Sequence, residues 1–190
     1  MKRIGILGGT FNPIHLGHLS IAEAARDKLG LDKVVFVPAY INPHKTKEGL
    51  ISPRERYAMV RLAIKDNKFF DASDIEIKRG GKSYTIDTVR KFLAAYPSGT
   101  KFFFIIGSDN AAKLHTWKGI KELTKLVSFV VVNRAGEKKA RSKVKIITLR
   151  TPGWDISGSY LRSQIKERKS IHYLVPENVA IYIEKRALYR

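Results

Sequence analysis

The sequence predicts an α/β protein with a mostly parallel sheet, helices on both faces and a small helical C-terminal portion. Three observations point there. Short β-branched and aromatic runs such as "KVVFVP", "KFFFIIG" and "LVSFVVVN" recur along the chain. Segments with helical apolar spacing separate several of them, which is the signature of βαβ units. The 190 residues contain no linker, internal repeat or low-complexity stretch, so residues 1–190 are expected to form one domain.

The first strand is read at residues 2–7, apolar and β-branched. Residues 18–29 then place Leu19, Ala22, Ala25 and Leu29 on one helical face, and Gly30 ends the helix. A second strand covers 33–38. Ser52-Pro53-Arg54-Glu55 opens the next helix as a capping box, with proline in the first turn and Glu55 at N3. "DIEIKR" (74–79) alternates like a strand, and 85–96 is helical. Residues 101–107, 126–133 and 143–149 read as three more strands, and helices at 157–169 and 176–188 close the chain. In such a sheet ligands bind beyond the carboxyl ends of the strands, so the loops after Leu7, Val37, Arg79, Gly107 and Leu149 should converge on one cleft.

Composition narrows the function classes. Apolar (44%) and charged (28%) shares are ordinary for a globular protein. Without cysteine there is no disulfide framework, zinc ribbon or thiol nucleophile. The start "MKRI" has too short an apolar run for a signal peptide, and no run approaches the ~18 residues of a membrane span, so a cytoplasmic location is expected. The net charge of +19 fits a nucleic-acid binder, a handler of polyanionic small molecules, or a lysine-rich surface. Lys and Arg are spread along the chain, with one short cluster at Lys138, Lys139, Arg141, Lys143 and Lys145 and no basic tail or aromatic RNA-binding signature; nucleic acid is not expected as the partner.

The chemistry sits in "GGTFNPIHLGHL", residues 8–19. Gly8 and Gly9 allow a turn that approaches a ligand closely, and the helix that follows presents its first amides, which together make an anion site. His15 and His18 lie about one helical turn apart at the mouth of that helix, where both can donate to the same phosphate. The loop is not a G-x-G-x-x-G dinucleotide fingerprint, and His-x-x-His has no third ligand nearby for a metal. A second anion site is read at "ISGSYLR" (156–162), where Ser157 caps a helix and Arg162 lies on the same face. "GKS" at 81–83 is no P-loop, because Glu76 stands where that motif needs glycine.

"GGTFNPIHLGHL" resembles the H-x-G-H motif of the nucleotidyltransferase superfamily, and "ISGSYLR" its second signature, with Gly158 where a serine is common and Ser159 in the place of a threonine. Between them "PHK" (43–45), "RYAMVRLA" (56–63), "GGKSYTIDTV" (80–89), "FFIIGSDN" (103–110) and "HTWKG" (115–119) follow in order, and "VVVNRAG" (130–136) and "LVPENVAIYI" (174–183) complete the set. The whole chain is similar to the bacterial nicotinate mononucleotide adenylyltransferases. The resemblance implies a Rossmann-like nucleotidyltransferase fold and transfer of AMP from ATP to nicotinate mononucleotide, giving nicotinate adenine dinucleotide and pyrophosphate in NAD biosynthesis. Nicotinamide mononucleotide and phosphopantetheine stay open as alternative acceptors, although the phosphopantetheine enzymes lack the S-Y-T-x-D-T and T-W elements.

The resemblance also implies roles. His15, His18, Lys45 and Arg162 would act on the triphosphate, with His18 stabilising the transition state. Gly8, Gly9 and Thr10 would line the α-phosphate turn, with Ser157 and Ser159 assisting at the other helix start. Gly107 and Asp109 would meet the adenosine ribose, and Arg134 the adenine end. Tyr84, Thr85 and Trp117 would receive the nicotinate mononucleotide, Trp117 by stacking. The family often carries an aromatic after this tryptophan, where Lys118 stands here. Mg2+ is expected as the cofactor, held mainly by substrate phosphates and water rather than by a protein metal site. A homo-oligomer stays open, and no membrane partner is expected.

Overall fold

The computed structural model describes residues 1–43, 49–133, 142–151 and 155–190, with the side chain of Asp109 outside the description. The elements in order are β1 (Arg3–Gly9), α1 (Leu16–Leu29), β2 (Lys33–Pro38), α2 (Pro53–Ile64), β3 (Phe70–Ala72), α3 (Ile75–Arg79) and α4 (Thr85–Ala95). After them come β4 (Lys101–Gly107), α5 (Ser108–Ala111), a 3-10 turn at Leu114–Thr116, α6 (Ile120–Leu126), β5 (Ser128–Asn133), β6 (Ile146–Arg150), α7 (Gly158–Lys166) and α8 (Glu177–Lys185).

The strands form one six-stranded sheet in the order β3-β2-β1-β4-β5-β6. Every pairing is parallel, so the expectation of a mostly parallel sheet is met in full. The chain winds outward from β1 through β2 to β3, then returns to β4 and winds the other way. That reversal puts the topological switch point between β1 and β4.

Alternation along each central strand divides the core in two. Leu7, Val34, Phe36, Phe103, Ile105, Val130 and Val132 face one side, where they pack with Ala22 and Ala25 of α1, Met59 and Val60 of α2, Leu161 of α7 and Val179 and Ile183 of α8. Ile4, Ile6, Val35, Val37, Phe102, Phe104, Ile106, Phe129 and Val131 face the other, against Ile86, Val89 and Phe92 of α4 and Leu123 of α6. A strand buried on both faces reads as a continuous apolar run, which is why β2, β4 and β5 are plain in the sequence. Among the described residues no helix is long and apolar enough to cross a membrane.

Several local expectations fail; residues 143–145, read as the start of a strand, precede β6, which begins at Ile146. Residues 74–79 are not a strand: the third strand is Phe70–Ala72, paired with Val34–Phe36, and the alternating run that follows coils into α3. There the Lys78 N–H donates to the Asp74 carbonyl at 2.8 Å, and Lys78 Nζ pairs with Asp74 Oδ1 at 3.1 Å. The two-residue period of Ile75 and Ile77 was too short to outweigh this i,i+4 closure. Residues 126–127 are not strand either, because Leu126 ends α6, a helix absent from the sequence reading. The capping box at α2 is half formed. Ser52 Oγ accepts from the Glu55 N–H at 3.2 Å, but the Glu55 carboxylate takes the Tyr182 hydroxyl at 2.6 Å and Arg186 Nη2 at 2.7 Å instead. Two side-chain donors, one of them charged, outcompete a single backbone amide.

Candidate active site

At the carboxyl ends of β1 and β4 the sheet opens into a cleft of ≈ 500 Å³. Gly8, Gly9 and Thr10 border it from β1, Ala39 and Asn42 from the end of β2, Gly107 from β4, and Ser157, Gly158, Ser159 and Arg162 from the start of α7. Tyr84, Thr85, Trp117 and Lys118 form a further wall. The predicted convergence of loops is therefore met after β1, β2 and β4, and the chain after β6 joins them at Ile156. Of the residues implied by resemblance, Lys45, Arg134 and the side chain of Asp109 lie outside the described residues.

The glycines of the first loop are required by close approach. A Cβ on Gly9 would sit 2.9 Å from the Phe11 ring, and one on Gly8 would sit 3.1 Å from Phe104. Phe11 is itself buried at φ 50°, a left-handed conformation that costs a non-glycine residue about 1 kcal/mol or more and is held by the packing around it. Its ring meets His18 edge-on at 5.0 Å. The loop is thus shaped from within, by its own aromatic.

His15 is the N-cap of α1 and His18 its N3 residue, imidazoles standing where Ser/Thr and Glu/Gln usually stand. The His15 backbone N–H donates to His18 Nδ1 at 3.3 Å, and the two rings lie 3.7 Å apart at 31°. Because Nδ1 of His18 accepts, the proton of its neutral ring belongs on Nε2, which makes Nε2 a donor. His15 is buried and His18 half-buried, and both border the cleft.

Across the cleft α7 begins with Ser157 as N-cap, its Oγ accepting from the Tyr160 N–H at 3.2 Å and lying 3.0 Å from Ser159 Oγ. Arg162 Nη1 donates to the Asn12 carbonyl at 2.8 Å, so the two sequence signatures touch. Gly158 explains itself here: a Cβ at that position would stand 2.8 Å from the Asn12 carbonyl oxygen. The missing side chain lets the helix start lie against the first loop.

Asn12 and Arg56 are the residues that sequence reasoning missed. Asn12 Nδ2 donates to the Gly49 carbonyl at 2.8 Å, while its Oδ1 accepts from the Tyr189 hydroxyl at 2.8 Å and from the Ile51 N–H at 3.4 Å. Arg56 is completely buried and donates to the carbonyls of Thr10 (2.6 Å), Tyr40 (3.1 Å) and Ile51 (3.3 Å), pinning three loops at the cleft's edge. Burial lowers its guanidinium to about 10, with Tyr189 and Glu76 pulling upward, so it stays charged at neutral pH. The signal for it was an arginine at an otherwise inward position of α2, inside "RYAMVRLA".

Glu76 is buried in the floor, where it accepts from the Thr88 hydroxyl. Burial pushes its carboxyl above the usual carboxylate range, while hydrogen bonds from Thr88 and Ser83 and the charges of Arg79 and Arg56 pull it back. Ser83 Oγ accepts in turn from the Tyr40 N–H at 2.9 Å, which ties the end of β2 to the head of α4. Trp117 lies edge-on to Phe104 (5.9 Å) and Phe129 (6.2 Å) and also borders the cleft, so it serves the core and the site together. Among the described residues no three His, Cys, Asp or Glu side chains gather to hold a metal. The Thr10 hydroxyl is buried, with no hydrogen-bond partner among the described residues.

A doubly wound sheet whose switch-point cleft is walled by H-x-G-H imidazoles, glycine turns and the head of an Arg-bearing helix is built for nucleotidyl transfer, and the chain belongs to the cytidylyltransferase-like family, whose profile matches residues 6–164. Similarity extends along the whole chain to two curated bacterial proteins, each named "Probable nicotinate-nucleotide adenylyltransferase". One, from Desulfitobacterium hafniense (strain Y51), is 42% identical over 200 residues, covering 100% of this chain and 96% of that protein. The other, from Lactiplantibacillus plantarum, is 47% identical over 188 residues, covering 99% and 88%. The fold is shared with Plasmodium falciparum nicotinic acid mononucleotide adenylyltransferase, solved in complex with NaAD, at a TM-score of 0.81 and 20% identity over 100% of this chain and 98% of that one.

Proposed function

We propose that this protein is a nicotinate mononucleotide adenylyltransferase of the cytoplasm, joining AMP from ATP to nicotinate mononucleotide. One observation carries the site reading: the 2.8 Å bond from Arg162 to the Asn12 carbonyl, which makes the two phosphate-binding signatures opposite lips of one cleft. The full-length similarity to relatives bearing that name supports the choice of acceptor.

In the reaction a phosphate oxygen of the mononucleotide attacks the α-phosphorus of ATP. The bond from that phosphorus to the bridging oxygen of the β-phosphate breaks, and pyrophosphate leaves with the electron pair. The nucleophile is already an anion, so no base is needed; positioning and charge stabilisation supply the catalysis. Gly8, Gly9 and Thr10 cradle the α-phosphate. His18 donates from Nε2 to the oxygens that gain charge, and His15 holds its neighbour's ring in line. Arg162, the α7 amides, Ser157, Ser159 and Lys45 bind the β- and γ-phosphates. Gly107, Asp109 and Arg134 receive the adenosine. Trp117 stacks on the pyridine ring, with Tyr84 and Thr85 beside it.

Among the described lining residues Glu76 is the acid, and it is engaged by Thr88 and Ser83. That donor set suits a magnesium ion that arrives on the triphosphate and is held by its oxygens and water. When bound, the ion neutralises charge on the departing pyrophosphate.

The test is direct: incubation with ATP, magnesium and either nicotinate mononucleotide, nicotinamide mononucleotide or phosphopantetheine, measuring pyrophosphate. Release is expected fastest with nicotinate mononucleotide; a faster reaction with either of the others would displace this reading.

A further inference from the structure

The described residues lining the cleft include two fixed cations, Arg162 and Lys118. They enter from opposite faces of the sheet. Leu161, beside Arg162, belongs to the core on the α1 side, whereas Trp117 and Tyr84 pack against the core on the α4 side. Arg162 is fastened to Asn12 and therefore to the phosphate end. Lys118 is held elsewhere, with its Nζ 4.5 Å from the centroid of the Tyr84 ring.

The backbone that carries Lys118 is anchored on both sides. Trp117 is gripped edge-on by Phe104 and Phe129. Gly119 has φ 70° and lies so near α4 that a Cβ there would be 3.2 Å from Ile86. Lys118 is exposed, and its contact with the Tyr84 face favours rotamers that keep its charge at the cleft's edge.

We propose that Lys118 is a specificity-determining residue: its ammonium, held over Tyr84, selects a pyridine mononucleotide whose ring bears a carboxylate over one whose ring bears an amide. The inference rests on the function proposed above and deepens it. Acid and amide have nearly the same shape, so what is left to read is charge and the hydrogen bonds that an amide NH2 donates where a carboxylate only accepts; Lys118 reads the charge. The acceptor's phosphate is common to both and cancels from the comparison. A unit charge at contact distance in a wet site separates them by about five-fold.

The experiment compares kcat/KM for nicotinate and nicotinamide mononucleotides in the unmodified protein, Lys118→Met and Lys118→Arg, at low salt and in ~1 M salt, where charges are screened beyond about 3 Å. Methionine keeps an apolar stem for Tyr84 and removes the charge. The acid-to-amide ratio is expected to fall about five-fold in Lys118→Met, to recover in Lys118→Arg, and to depend less on salt in Lys118→Met than in the unmodified protein. An unchanged ratio in Lys118→Met, or an equal loss for both acceptors, overturns the proposal. Pyrophosphate release with neither acceptor from the unmodified protein would overturn the function reading itself, and this inference with it.

Discussion

The Arg162 guanidinium reaches across 150 residues of sequence to donate to the Asn12 carbonyl at 2.8 Å. Asn12 is already tied through its side chain to Gly49, Ile51 and Tyr189, so one residue of the first loop gathers the segment before α2, the start of α7 and the chain after α8. The cleft is a joint between these segments, and its dimensions depend on that joint staying tight.

Gly158→Ala tests the joint. The added methyl would meet a backbone oxygen at 2.8 Å, and a main-chain atom cannot swing aside. A loss of about 1–3 kcal/mol is expected in denaturant unfolding, typical of overpacking, together with a raised KM for ATP. An alanine variant of native stability and native ATP kinetics would show that α7 is free to shift.

In the proposed mechanism, His18→Ala removes the donor to the charge that develops in the transition state. We expect kcat to fall ~10²-fold or more with a modest change in the KM for ATP, measured by steady-state pyrophosphate release. Near-normal turnover would refute its part.

Trp117→Ala should raise the KM for the pyridine nucleotide far more than that for ATP. Because Trp117 also packs on Phe104 and Phe129, the same variant should lose about 3–5 kcal/mol of stability. Equal effects on the two KM values would reduce Trp117 to a core residue.

Arg56→Lys keeps the charge but cannot span three carbonyls with a planar fork, so at least one buried acceptor is left unmet. A cost of about 1–3 kcal/mol per orphaned group is expected in thermal or denaturant unfolding. A lysine variant as stable as the parent would mean that the three loops need no common pin.

The Glu55 tie between α2 and the end of α8 predicts an acid sensitivity. Hydrogen bonds from Tyr182 first, then Arg186, hold the Glu55 carboxyl below its ordinary value of 4.5. A carboxyl depressed in the folded state contributes stability above the unfolded value and loses it as pH falls through the folded one. Unfolding free energy should therefore decline below pH about 4.5, and Glu55→Gln should flatten that decline. Parallel acid profiles for the two proteins would show that the tie is not linked to folding.

The sequence by itself determined what is local. The runs of β2, β4 and β5 are legible because a strand covered on both faces must be apolar throughout. The placing of residues 8–19 at the cleft is legible because turn glycines, a helix start and paired imidazoles are local features of a few neighbouring residues. The tertiary structure decided whatever depends on partners distant in the chain. Residues 70–72 became the edge strand instead of 74–79 because three backbone pairs with β2 leave no side-chain period to read. Glu55 abandoned its cap because Tyr182 and Arg186 lay within reach. Arg56 is a buried pin, and Gly158 a contact point, because loops remote in sequence deliver carbonyls to them. Periodicity encodes which face of an element is covered; only the folded chain fixes which distant atom covers it.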